Sequence, residues 1–259
     1  KALVRLYKPT DGEVIFDGQN ISVMPRRELQ DVRKDIQVIF QDPFESLNSR
    51  FHVGKIIAEP LVIHKIGDAK SRKLEVLRLL DIVGLPASAY EKYPHEFSGG
   101  QRQRISIARA IALKPKLIIC DEPVSALDVS IQSQILNLLM DLQKELGLSY
   151  LFIAHDLSVV KHVSDRVAVM YLGNIVECAE SEELYRNPQH PYTQALISAI
   201  PVPDPTRKPN SQVLTGEVPS PRNPPSGCCF HTRCSFAQPR CKEEKPKLEG
   251  GKHEVACFF

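Results

Sequence analysis

What this chain of 259 residues lacks narrows its role before any motif is considered. Neither charge is in excess: 33 basic side chains stand against 31 acidic ones, so nothing suggests a nucleic-acid surface or a polybasic membrane patch. No apolar run approaches the ~20 residues that cross a bilayer as a helix. No stretch reads as a secretory signal, and no internal repeat is visible. Also missing is a Gly-x-x-x-x-Gly-Lys-Ser/Thr loop, whose N–H groups and lysine cradle nucleotide phosphates. The Gly-Lys pairs, Gly54-Lys55 and Gly251-Lys252, are not followed by serine or threonine, and neither has glycine five places before. Cysteine is scarce until the end, where five of seven fall in the last 32 residues. Cys120 and Cys178 sit in apolar, strand-like context and read as core thiols.

What is present centres on Phe97-Ser98-Gly99-Gly100-Gln101-Arg102-Gln103-Arg104. A serine and two glycines open a helix whose apolar face carries Ile105, Ala108, Ile111 and Ala112. Free N–H groups and the positive end of the dipole suit such a start to an anion, phosphate above all. Taken alone, the stretch is as well read as a serine-capped helix. Downstream, Leu117-Ile118-Ile119-Cys120 runs into Asp121-Glu122-Pro123. That is the pattern of a buried parallel strand delivering two acids at its carboxyl end, where open α/β sheets bind ligands.

Around these elements the chain alternates between strand and helix patterns. Ala2–Tyr7 reads as the end of a helix, and Glu13–Phe16 as a strand turning at Asp17-Gly18. A polar helix near Arg27–Arg33 precedes a strand, Ile36–Phe40, which leads into Gln41-Asp42-Pro43. Residues 53–97 read as helices, with Leu74, Leu77 and Leu80 repeating at every third position. A helix with Ile131, Ile135, Leu138, Leu139, Leu142 and Leu146 on one face is expected to be capped by Ser130 and stopped by Gly147. Tyr150–Ala154 is expected as a buried strand with His155 at its end, followed by strands Arg166–Tyr171 and Asn174–Cys178. Regular structure is expected to fade after 180–184, with one short helix opening at His190-Pro191-Tyr192. Eight of the 20 prolines lie between Pro201 and Pro225, which predicts an extended tether. The cysteine-rich end beyond it is too small to hold a core without a staple.

The ordered set of signature helix, acidic strand end, Ser125-Ala126-Leu127-Asp128 and His155 resembles the ABC-type ATPases over nearly all of the chain. Three further stretches resemble the ATP-binding subunits of oligopeptide and dipeptide importers. They are Gln41–Asn48, Asn187–Thr193 and the cysteine tail. The resemblance implies an α/β fold: a P-loop-NTPase-like ABC ATPase sheet with an inserted helical subdomain near 43–97 and a small cysteine-rich C-terminal tail. It divides the chain into an ATPase domain, 1–184, lacking the Walker A portion; an extension with a proline-rich linker, 185–227; and the tail, 228–259. The start at Lys1 rather than Met fits a chain that begins inside a longer parent.

The family's roles carry over residue by residue. Asp121 and Gln41 would hold Mg²⁺, Glu122 would polarise the attacking water, and His155 would contact the γ-phosphate of ATP. Ser98, Gly99, Gly100 and Gln101 would address the nucleotide of a second ABC ATPase subunit, in a homo- or heterodimer whose seam Asp128 organises. The assembly would lie on the cytoplasmic face of the inner membrane, bound to permease subunits and served indirectly by a substrate-binding protein. Oligopeptide or dipeptide uptake is the implied task, with nickel or glutathione import, or a non-catalytic closing subunit, as alternatives. On residues alone the tail is equally open to an iron–sulfur cluster, zinc or free thiols. The resemblance favours a [4Fe-4S] cluster on Cys228, Cys234, Cys241 and Cys257, with Cys229 spare.

The missing phosphate loop gives a first expectation. Calorimetry on the 259-residue chain at micromolar concentration should detect no ATP binding, because no other stretch supplies a nest of N–H groups with a lysine. A tight binding isotherm would show that another segment cradles the phosphates.

Overall fold

The computed structural model of the chain describes residues 2–201, 214 and 216–259. Most of the expected proline-rich tether therefore lies outside the described residues, at 202–213 and 215. Chain contacts divide the protein into two units, Lys1–Ala154 and His155–Phe259.

The first unit opens on a turn, not the end of a helix. Its backbone goes left-handed at Arg5 (φ 51°), whose N–H reaches the Ala2 carbonyl at 2.8 Å. The carbonyls of Val4 and Arg5, which a helix would use, instead accept from the guanidinium of Arg33. A short hairpin follows, β1 (Ile15–Phe16) and β2 (Gln19–Asn20), turning at Asp17-Gly18 as predicted. Helix α1 (Arg26–Asp35) then runs directly into β3 (Ile36–Ile39). Val4, Ile21, Met24, Leu29, Ile36 and Ile119 share one buried cluster beneath these elements.

A helical insertion separates β3 from the rest of its sheet. It comprises α2 (Pro43–Ser46), α3 (Val53–Ile63), α4 (Ala69–Ile82) and two 3₁₀ turns. Asp68 and Ser71 cap α4 reciprocally, each side chain taking or giving a bond to the other's backbone. The buried face of α4 is Val76, Leu79, Leu80 and Val83, spaced as a 3.6-residue period requires. The expected three-residue repeat drifts off that face, and Leu74 is 61% exposed. Beyond lie α5 (Gly99–Ile111), β4 (Leu117–Asp121), α6 (Val129–Leu146) and β5 (Ser149–Ile153). Gly147 ends α6 in the left-handed region (φ 64°), a conformation that carries no Cβ penalty for glycine. The sheet is parallel in the order β3-β4-β5. Its middle strand is buried as expected, but β5 is not: Leu151 and Ile153 are 40% and 42% exposed. Among the described strands β5 pairs only with β4, so one of its edges carries no neighbour.

In the second unit α7 (Leu157–Val163) leads to the hairpin of β6 (Arg166–Tyr171) and β7 (Asn174–Glu180). The elements expected at 180–184 and at His190-Pro191-Tyr192 both form. Helix α8 (Ser181–Arg186) starts directly from β7, and α9 (Pro191–Ser198) is capped by His190. The cysteine-rich end is built onto the same sheet. After α10 (Pro239–Glu243), β8 (Glu254–Val255) pairs antiparallel with β7. Phe230, 1% exposed, fills a core with Val167, Val169, Tyr171, Val176, Ala179 and Leu184. The rings of Tyr171, His190 and Tyr192 stand 5.2–5.6 Å from that of Phe230. The tail therefore borrows a core from the unit it follows.

Truncating this anchor should undo the arrangement. Phe230→Ala should cost about 3–5 kcal/mol of stability in urea unfolding of the protein, as for other buried aromatics. A loss below ~1 kcal/mol would mean that Phe230 is not what seats the tail.

Candidate functional site

Parallel register delivers the acids. Ile39 of β3 lies opposite Cys120, and Asp121 lies opposite Ile153 of β5. The chain leaving β3 and the chain leaving β4 therefore emerge at the same end of the sheet, as strands of a parallel pair must. There the Gln41 Nε2 donates to Glu122 Oε2 at 2.8 Å. The Glu122 N–H donates to the Ile153 carbonyl at 3.0 Å, which carries strand pairing one residue past β4. Glu122 itself is left-handed, with φ 47°. Its carbonyl then accepts both the N–H and the hydroxyl of Ser125, at 3.2 and 3.1 Å. Backbone bonds on both sides thus fix the residue whose carboxylate meets Gln41, with Asp121 half-buried beside it. Beneath, burial pushes the Cys120 thiol up to about 12, so it stays protonated and plays the core role expected of it.

The segment after the acids is held as tightly. The Gln132 amide donates to the carbonyls of Val124 and Leu127, each at 3.0 Å. Asp128, rather than the expected Ser130, caps α6, its carboxylate accepting the Ile131 N–H at 3.0 Å. An aspartate immediately before the helix has the geometry to reach that N–H, while Ser130 already lies inside the first turn.

The signature stretch starts α5 with a reciprocal cap. Gln101 N–H donates to Ser98 Oγ at 3.4 Å, and Ser98 N–H donates to Gln101 Oε1 at 3.0 Å. Both glycines have a packing reason to be glycine. A Cβ on Gly100 would sit 2.4 Å from Ile131 Cγ2, and one on Gly99 would sit 3.3 Å from Leu127 Cδ2. The start of α5 therefore presses against the segment that runs from the acids into α6. Gln41, Asp121 and Glu122 form one group, and Gly99 and Gly100 meet the segment that contains Asp128. His155 is the first residue of the second unit, directly after β5; the neighbouring Asp156 caps α7.

The tail cysteines do not form the expected ligand set. Among the described residues no three His, Cys, Asp or Glu side chains are grouped so as to hold a metal ion. Cys228, Cys234, Cys241 and Cys257 do feel one another. Burial first, and then the neighbouring thiols, raise the pKa of Cys234 and Cys257. The sulfur of Cys228 is engaged elsewhere, however, accepting first from Cys229 and then from His190, which lowers its pKa. Cys229 is correspondingly raised. A backbone bond ties the loop: Cys228 N–H donates to the Cys241 carbonyl at 2.8 Å. The iron–sulfur expectation is thus unsupported, because no three candidate ligands among the described residues gather around a shared centre.

One side chain in the second unit carried no sequence signal beyond a charge inside an apolar strand. Glu177 of β7 is fully buried. Its carboxylate accepts the N–H groups of Gln189 (2.8 Å) and His190 (3.0 Å) and the His253 Nε2–H (2.7 Å). It joins the strand, the segment before α9 and the tail at one point.

Comparison with known proteins gives a consistent picture. Residues 1–125 match the family described as ABC transporter, and residues 176–241 match the oligopeptide/dipeptide transporter C-terminal region. The oligopeptide transport ATP-binding protein AppF of Bacillus subtilis is 56% identical, the match covering 100% of this chain and 80% of that protein. OppF of Salmonella typhimurium is also 56% identical, over 100% of this chain and 78% of its own length. Among solved structures, cbiO1 of Clostridium perfringens, part of the ABC transporter complex cbiONQ, is 28% identical with a TM-score of 0.64 over 72% of each chain. The ATP-binding cassette MJ0796, dimeric and bound to ADP and phosphate, is 29% identical with a TM-score of 0.62, over 70% of this chain and 78% of its own.

The close approach at Gly100 is testable through its partner. Gly100→Ala should destabilise the protein by about 1–3 kcal/mol, the usual penalty of overpacking. Adding Ile131→Ala should recover at least half of that loss in thermal unfolding. If the second change recovers nothing, the contact does not constrain the start of α5.

Proposed function

Because this chain belongs to the ATP-binding subunits of ABC transporters, in their oligopeptide branch, we propose that it is part of a subunit whose ATP hydrolysis, once a phosphate loop is supplied, drives oligopeptide uptake. The observation that carries the mechanism is the Gln41–Glu122 hydrogen bond at the end of β4. In phosphoryl transfer the protein positions charge and water more than it does covalent work. Asp121 and Gln41 offer hard oxygen donors at one strand end, a donor set that suits Mg²⁺, and the bound ion would neutralise charge on the transferred phosphate. Glu122 orients the attacking water and takes up its proton. Gln41, by bonding Glu122, keeps the carboxylate turned toward that water. His155 would contact the γ-phosphate. No step is routed through the tail, whose cysteines do not fit a cluster.

The trans arrangement follows from the signature. Ser98 Oγ and Gln101 Oε1 only accept from each other's backbone, so the start of α5 offers phosphate the Ser98 hydroxyl and the Gln101 side-chain amide as well as the N–H groups at Gly99 and Gly100. We assign them, with Asp128, to the nucleotide of a second ATPase subunit, equal or homologous to this one. Among the described residues no helix is long and apolar enough to cross a membrane. The subunit would act at the cytoplasmic face of the inner membrane, on permease subunits fed by a binding protein. The division into an ATPase domain (1–184), an extension (185–227) and a tail (228–259) is part of the same reading. Relatives from oligopeptide systems do not favour nickel or glutathione import, or a subunit without hydrolysis.

Replacing the acid tests the assignment. In the transporter assembled with this chain restored to its phosphate loop, Glu122→Gln should leave nucleotide binding intact and slow turnover by at least ~100-fold, the scale of losing a general base. Turnover within a few-fold of the parent would remove Glu122 from that role.

A further inference from the structure

Two arginines on α5, Arg102 buried and Arg109 half-buried, are not part of the machinery just described. Arg102 and Arg109 lie seven residues apart, two helical turns, and so share a face. That face meets α2. Arg102, 7% exposed, donates to the carbonyls of Pro94 (2.6 Å) and His95 (3.3 Å), and its guanidinium lies 3.6 Å from the centre of the Phe44 ring. Arg109 donates from Nη1 to the carbonyl of Ser46, the last residue of α2, at 2.7 Å. Between them the hydroxyls of Ser46 and Ser106 stand 3.5 Å apart. A helix of four residues is thus gripped at both ends by a helix of thirteen.

Burying a guanidinium is expensive, and an apolar side chain would serve packing alone at least as well. What these two provide is direction: fixed N–H donors on named carbonyls and a flat cation against one aromatic face. The segment they grip begins at Gln41. Asp42 caps α2 through the Phe44 N–H at 2.7 Å, and Gln41, one residue earlier, bonds Glu122 at 2.8 Å. The far end of α5 from Arg109 is the signature, Ser98 to Gln101.

We propose that Arg109, assisted by Arg102, is a positioning residue for hydrolysis: it locks α2 to α5 so that the signature helix and the Gln41 amide on Glu122 move as one body. The inference rests on the ATPase reading above for its kinetic consequence, but not for its structural one. A signature helix displaced by a partner's nucleotide would then carry Gln41 with it, and the general base would be oriented only when the signature is engaged.

Two measurements test it. Hydrogen exchange on the chain reads the lock directly: Arg109→Met, which keeps the length and removes the donor, should speed exchange of the amides of residues 44–47 about tenfold and leave α4 unchanged. In the assembled transporter the same change should lower kcat for MgATP about tenfold and move KM by less than about twofold. In a Gln41→Ala background that loss of kcat should shrink to within about twofold, because the two residues act in series. Arg109→Lys, which retains a donor, should restore at least half of the parent rate. Should Arg109→Met fail to fold, Phe44→Ala takes its place, since that ring is 64% exposed and its loss removes the stacking surface for Arg102. Unchanged exchange at 44–47 in the folded variant would overturn the lock. A full tenfold loss persisting in the Gln41→Ala background would make the effect structural and overturn the positioning role. An assembly that hydrolyses no ATP even as wild type would defeat the ATPase reading, while the exchange result would still decide the lock.

Discussion

Parallel pairing of β4 between β3 and β5 is the constraint on which the site depends. Side chains on a strand alternate faces, so a slip of one residue would turn Asp121 and its neighbours to the wrong side. The register is fixed over four pairs on one edge of β4 and five on the other. The Glu122 N–H then extends it by one further bond to Ile153. With that ladder in place, two residues distant in sequence, Gln41 and Glu122, leave the sheet side by side. Their 2.8 Å contact needs no further device to bring the chains together; it needs only that the turn after β3 not wander. The grip of α5 on α2 supplies that restraint.

The local half of this arrangement was legible in the sequence. An apolar run ending in two acids, a serine and two glycines ahead of a helical pattern, and glycines after the helices all record forces that act within one element. The errors have a common physical origin in contacts between elements. Ala2–Tyr7 has a helical look, yet Arg33, far along the chain, takes the carbonyls that a helix would use. Ser130 is a good capping residue, but Asp128 reaches the Ile131 N–H first. The spacing of Leu74, Leu77 and Leu80 suggested a stripe, whereas the helix period selects Val76, Leu79 and Leu80. For Gly100 the sequence suggested proximity to phosphate; that Ile131 would collide with any Cβ there is visible only in three dimensions.

The second unit shows the same limit more sharply. Composition says that the last 32 residues cannot fold alone, and a metal is the usual remedy. The described residues show packing and hydrogen bonds that hold the tail. Phe230 enters a core already walled by β6, β7 and α8, β8 adds to the edge of β7, and His253 reaches the buried carboxylate of Glu177. Buried carboxylates are tolerated when hydrogen-bonded, and this one accepts three donors from two parts of the chain. Nothing in the sequence around Glu177 marks it, because its partners lie 12, 13 and 76 residues away.

The left-handed backbone at Glu122 has a consequence for how such a subunit can decay over generations. A side chain other than glycine in that region costs on the order of 1 kcal/mol, with asparagine and aspartate the mildest cases. Glutamate has no such local compensation, which fits the proposed need for an acid one residue past the strand. Once a lineage no longer needs hydrolysis at this position, exchange for glycine or asparagine relieves strain instead of adding it. The residue proposed as the general base therefore sits where the backbone alone favours glycine, and only its side-chain bonds, the one to Gln41 among them, weigh against that exchange.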